Sequence, residues 1–120
     1  MEVRGKHALR LGIAGRQRYE GERLLRIEGY LRAPVSGVLR DAVGALIRGG
    51  DQDLVVDLSR VADVDAAGIG ELARIYTMAI GAGAVLRLAN PTRRVQTLLH
   101  RAGLLEILGA KPTAALERIS

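Results

Sequence analysis

Leu9, Leu11 and Ile13 alternate with Arg10 and Gly12 in the stretch LRLGI, and Leu25 and Ile27 alternate with Arg26 and Glu28 in RLLRIE. A period of two predicts half-buried strands over 9–13 and 23–28. Between them AGRQRYEGE is polar and contains glycine, which predicts an antiparallel hairpin with a long loop. The period then lengthens. Val35, Val38, Leu39, Ala42 and Leu46 share one helical face, predicting a helix from about Pro34 to Arg48. Gly49 and Gly50 supply its stop.

DLVVDLS, residues 53–59, is short and mostly apolar, as expected of a central strand covered on both faces. A second helix is predicted over about 66–80, with Ile69, Leu72, Ala73, Tyr76 and Ile80 as its buried stripe and Gly81 and Gly83 breaking it. AVLRLA, 84–89, reads as the next strand. In NPTRRVQTLLHRAG, Asn90 reads as the N-cap and Pro91 as the first helical residue. Val95, Leu98, Leu99 and Ala102 make that helix's stripe, and Gly103 ends it. LLEIL is a candidate last strand and TAALERI a short closing helix. The order β-β-α-β-α-β-α-(β)-α predicts a single layered α/β domain over 1–120. Its core would span about 9–118, with a four- or five-stranded mixed, mostly parallel sheet.

Composition narrows the chemistry. The chain has 120 residues, 48% of them hydrophobic but only 2% aromatic, so the core must be aliphatic. No cysteine is present, which excludes disulfides, thiol nucleophiles and thiolate metal sites. Arg10 interrupts the apolar part of the N-terminal stretch, which argues against a signal peptide. No apolar run is long enough to span a bilayer, so a soluble cytoplasmic protein without direct membrane insertion is expected. Residues 1–40 hold nine Lys or Arg against four Asp or Glu, whereas 41–120 hold nine of each. A basic first third suits an acidic partner or a solvated surface. With three tyrosines and no Phe or Trp, base stacking has little to work with, and no nucleic-acid partner is expected.

No enzyme is expected either. His7 and His100 lie far apart, none of the three serines sits in a G-x-S-x-G elbow, and no metal-protease or P-loop motif occurs. Asp57, Asp63 and Asp65 cluster around the third strand and the loop after it. Oxygen ligands suit magnesium, but the reading preferred here is local. Asp65 caps a helix, Asp57 bonds nearby backbone and Asp63 is solvated; no metal and no cofactor are expected. The start of the second helix is the best candidate site. Its free amides and dipole favour negative charge, and Ala66, Ala67, Gly68 and Gly70 leave it bare.

Several pieces occur in order: VVDLS, VDAAGIGEL, GAVLRLANPTRRV and LLHRAGLLEI, preceded by GYLRAPV at 29–35. Together they resemble the STAS domain, the family of bacterial anti-sigma factor antagonists, across about 9–118. The resemblance implies binding to an anti-sigma factor that is also a serine kinase, and control by phosphorylation of the serine after the motif's aspartate. Here that position is Ala66, and no Ser, Thr or Tyr occurs over 64–70. Arg32 replaces the acid usual after G-x-L. The resemblance therefore implies a docking surface of Arg32, Asp63, Asp65, Ala66, Ala67, Gly68 and Gly70 without phosphorylation at the helix start. Bulk at Gly68 or charge at Ala67 is expected to weaken a partner and spare the fold. Arg32 is expected to reach Asp65 or an acid on the partner. Ser59, expected in a turn, and Thr77, expected in the helix, are the nearest hydroxyls. A stressosome-type or transporter-associated STAS subunit and a homodimer are alternatives. So is a nucleotide sensor using Arg16 and Arg18 in the hairpin loop.

Overall fold

The computed structural model describes residues 11–19, 21–33 and 37–104. Strands β1 (Leu11–Tyr19), β2 (Glu22–Leu31), β3 (Asp53–Val64) and β4 (Val85–Ala89) form one sheet in the order β1-β2-β3-β4. β1 and β2 pair antiparallel, and β2, β3 and β4 run parallel. Helices α1 (Val38–Arg48), α2 (Ala66–Gly81) and α3 (Arg93–Arg101) follow β2, β3 and β4. This is the layered α/β class that the alternation of periods predicts. The candidate strand LLEIL beyond Leu104, the closing helix TAALERI, His7 and residues 34–36 lie outside the described residues.

The hairpin differs from expectation. The long loop is absent: AGRQRY belongs to β1, and Tyr19 already pairs with Glu22. Gly21, at φ +84°, makes the tight reversal that a side chain would strain. A register shift between Ile13 and Gly15 takes up the irregular spacing. Arg16 and Arg18 are thus ladder residues opposite Leu25 and Arg23. They do not form the free loop imagined for a nucleotide.

β3 is the spine. Leu54, Val55, Val56, Asp57 and Leu58 are all buried, so this strand is covered on both faces. The main core joins Leu25, Ile27, Leu54, Val56, Leu58, Leu86 and Leu88 to Leu39 and Val43 of α1, Leu72 and Ile75 of α2, and Val95 and Leu99 of α3. Each fully buried aliphatic side chain contributes about 2 kcal/mol. Leu24, Val55 and Ala89 form a separate cluster, at alternate strand positions and hence on the other face. There Arg26 Nε donates to Asp57 Oδ2 at 2.7 Å across the β2–β3 register. Beyond Ala89's level β3 continues past β4 to Val64. Two register shifts against β2 there turn Ser59 and Arg60 outward, so Ser59 lies in a strand, not a turn.

The buried face of α2 is only partly the predicted stripe. Leu72 is buried and Ile69 and Tyr76 pack against the core, but Gly68, Glu71, Ile75 and Ala79 also face inward and Ile80 is exposed. Glu71 is buried because Arg40 Nε reaches it from α1 at 2.7 Å and Arg74 from the next turn at 3.5 Å. Asn90 is not the cap of α3. It takes a left-handed φ of +54°, and Thr92 caps instead, its Oγ1 accepting from the Val95 amide at 3.2 Å. Among the described residues, no helix is long and apolar enough to cross a membrane.

Candidate functional site

At the C-terminal end of the parallel strands, β2 leads into the 32–37 connection, β3 into α2, and β4 into α3. Asp65 organises this end. Its backbone is extended, at φ −111° and ψ −174°, so its carboxylate can turn back on the helix it precedes. Oδ1 accepts from the Gly68 amide at 2.9 Å and Oδ2 from the Ala33 amide at 2.9 Å, while its own amide donates to the Leu31 carbonyl at 3.2 Å. One residue thereby caps α2 and ties it to the segment after β2. The Ala33 amide, followed by the Gly68 amide, holds the Asp65 carboxyl below its ordinary pKa.

Gly68 sits beneath that tie and faces inward. A Cβ there would stand 1.9 Å from the Leu31 carbonyl oxygen and 2.7 Å from Val64 Cγ2. Its smallness serves packing, and the expectation that a large residue at Gly68 spares the fold is overturned. Ala66, Ala67 and Gly70 are exposed, and a Cβ at Gly70 meets nothing within 4 Å.

Asp63 is not simply solvated. Oδ2 accepts from Arg32 at 2.7 Å, Oδ1 from Arg94 Nε at 2.8 Å, and Oδ1 also from the Val64 amide at 2.9 Å. The hydrogen bond from Arg94, then that from Arg32, lowers its pKa to about 2 against the opposing cost of desolvation. Arg32 therefore pairs with Asp63 and not with Asp65, and its guanidinium also lies 4.6 Å over the Tyr30 ring. Arg94 escaped the sequence reading. It lies 31 positions beyond Asp63, and only its place in the first turn of a helix leaving the same sheet end could have flagged it. Asp57 is remote from this cluster in role: it binds Arg26 and the Ser59 amide. Among the described residues, no group of three or more His, Cys, Asp or Glu could hold a metal ion.

Asp63 sets an acid limit. Its folded pKa lies below the ordinary 3.8, so its contribution is complete above that value and disappears as pH falls through about 2. Because Arg32 and Arg94 are 43% and 65% exposed, the two pairs together contribute only about 1 kcal/mol. Asp63→Asn should unfold at correspondingly lower urea at pH 7, with most of that gap closed by pH 2. A gap at pH 2 as large as at pH 7 would show that Asp63 acts by something other than its charge.

The family profile described as "Mlab, STAS domain" matches residues 14–109. The chain belongs to the STAS-domain family. No curated protein matches it in sequence. Among solved structures it is similar to an anti-sigma factor antagonist from Thermotoga maritima, at 18% identity and a TM-score of 0.73, covering 88% of this chain and 90% of that one. An anti-sigma factor antagonist from Mycobacterium paratuberculosis gives 20% identity and a TM-score of 0.72, with 88% of each chain covered. The murine anion transporter Slc26a9 gives 23% identity and a TM-score of 0.62 over 75% of this chain but 15% of the transporter.

Proposed function

We propose that this chain is a non-catalytic docking domain of the cytoplasm that acts as an anti-sigma factor antagonist. It binds a serine-kinase-type anti-sigma factor through Arg32, Asp63, Asp65, Ala66, Ala67 and Gly70, without phosphorylation control at the helix start. The observation that carries this reading is the construction of that start. Asp65 caps it from within, and Ala66 and Ala67 stand exposed with no hydroxyl to modify. The antagonist structures it resembles support the choice of partner. Phosphorylation would add about −1.5 to −2 charge to such an interface and repel it; a chain with alanine there stays in its binding form.

The test is a calorimetric titration with an anti-sigma kinase from the same genome. Ala67→Glu places a charge where a phosphate would sit, and should weaken binding about tenfold or more without changing the circular dichroism spectrum. Unchanged affinity would remove the helix start from the interface. Mass spectrometry after incubation with kinase and ATP should find no phosphate on 64–70; stoichiometric phosphate on Ser59 would mean a relocated switch. The likeness to Slc26a9 favours a second reading, a transporter-associated STAS subunit. Stable co-purification with a membrane transporter, and indifference to every anti-sigma kinase, would select it.

A further inference from the structure

The charges at the docking end are unequally used. Asp65 spends both oxygens on backbone amides, and Asp63 spends both on Arg32, Arg94 and the Val64 amide. Both carboxylates are thus turned inward. The guanidiniums are turned outward: Arg32 and Arg94 each donate to Asp63 and remain 43% and 65% exposed. A guanidinium has five N–H donors, so most are left over. Arg93 is exposed beside them.

Arg93 and Arg94 occupy the first turn of α3, which contains no acid. A helix N-terminus carries partial positive charge, so two cations there are misplaced for folding. The first turn of α2 is also without an acid, but the Asp65 carboxylate caps its start. The start of α3, with Arg93 and Arg94, and Arg32, joined to Arg94 through Asp63, therefore leave positive charge on a surface whose carboxylates are already committed. Among the described residues the other exposed acids are Asp53, which begins β3 at the opposite end, Glu28, which lies 3.8 Å from Arg60, and Asp41, which stands at this end but in the first turn of α1, where it suits that helix's own dipole.

We infer that the partner meets this end with acidic side chains: a protein surface presenting Asp or Glu carboxylates to Arg32 and Arg94 across Ala66 and Ala67. Paired carboxylates match the forked geometry of arginine. The inference rests on the reading of this end as a protein-docking surface and adds the chemistry of what docks. A protein is favoured over an anionic membrane because, among the described residues, the exposed large apolar side chains, Ile80 and Val85, lie at the opposite end of the sheet. Among those residues a bilayer would find no exposed large apolar anchor beside these arginines.

The test uses the full isotope-labelled chain and three peptides of equal length, glutamate-rich, neutral and lysine-rich, followed by nuclear magnetic resonance. The glutamate-rich peptide should move the Ala66 and Ala67 amides and the Arg32 and Arg94 side-chain signals. Its affinity should fall about tenfold when salt shortens the Debye length from about 10 Å to a few Å. Arg32→Gln with Arg94→Gln should weaken it at least fivefold, whereas Arg48→Gln with Arg101→Gln, at the far end, should change it less than twofold. Equal losses from both pairs, or shifts spread over all exposed arginines, would reduce the effect to net charge and overturn the inference. Tighter binding of anionic phospholipid vesicles by the same residues would overturn it in favour of a membrane. If an anti-sigma kinase binds, is weakened by Ala67→Glu and is indifferent to Arg32→Gln with Arg94→Gln, the docking reading stands and the acidic partner falls. If R32Q/R94Q does not fold, the residue-resolved shifts of the unaltered chain decide.

Discussion

Gly68→Ala should destabilise the fold by at least about 3 kcal/mol, the upper range for forcing atoms into a packed interior. In a domain of this size that is a melting temperature lower by on the order of 10 °C or more. The clash is with backbone, the Leu31 carbonyl oxygen at 1.9 Å from a Cβ. No rotamer change relieves it. Leu31 is fixed by its own ladder to β3 and by the Asp65 amide, so α2 would have to lift off the sheet. Gly70→Ala, two positions on, is the control. It meets open space and removes a glycine from a helix, so it should stabilise by up to about 1 kcal/mol. Thermal melts of the two variants that moved together would show that α2 tolerates displacement at its start.

Arg26→Met should cost about 3–5 kcal/mol in urea unfolding, because it strands a carboxylate that is wholly buried. Asp57 is 0% exposed and keeps only the Ser59 amide once the guanidinium is gone. Asp57→Asn should cost less, about 1–2 kcal/mol, since the amide is neutral and its oxygen can still accept from Ser59. Glu71→Gln should also be mild, because its partners Arg40 and Arg74 are 48% and 67% exposed and water can take them over. A loss below about 1 kcal/mol for Arg26→Met would mean that water reaches Asp57.

The sheet's middle and the start of α2 were legible in the sequence because each rests on a local rule. A short continuous apolar run bounded by turn residues suits a strand covered on both faces, and an acid just before a helix suits an N-cap. The hairpin was not legible, because the residues of β1 from Gly15 to Tyr19 are too polar to show a period of two, yet the ladder holds them. The face of α2 was read only in part, because a stripe of large apolar residues finds Leu72, Ile69 and Tyr76 but ignores Gly68, chosen for the space it leaves, and Glu71, buried because Arg40 arrives from another helix. The same limit hid half of the candidate site. Arg32 and Asp63 end neighbouring strands, so their meeting follows from β2–β3 pairing. Arg94 comes from a helix beyond β4, and nothing in its local pattern says that it shares Asp63.

The strand order has a bearing on small ligands. In open α/β sheets, metabolites and nucleotides settle where the order of strands reverses and successive crossover helices part to opposite faces, opening a crevice. Among the described residues the order runs β1-β2-β3-β4 without reversal. The two crossovers through α1 and α2 proceed in the same direction along the sheet, share one core, and are joined by Arg40 and Glu71. A sheet wound one way offers its surface rather than an interior, which suits recognition of another macromolecule better than enclosure of a metabolite.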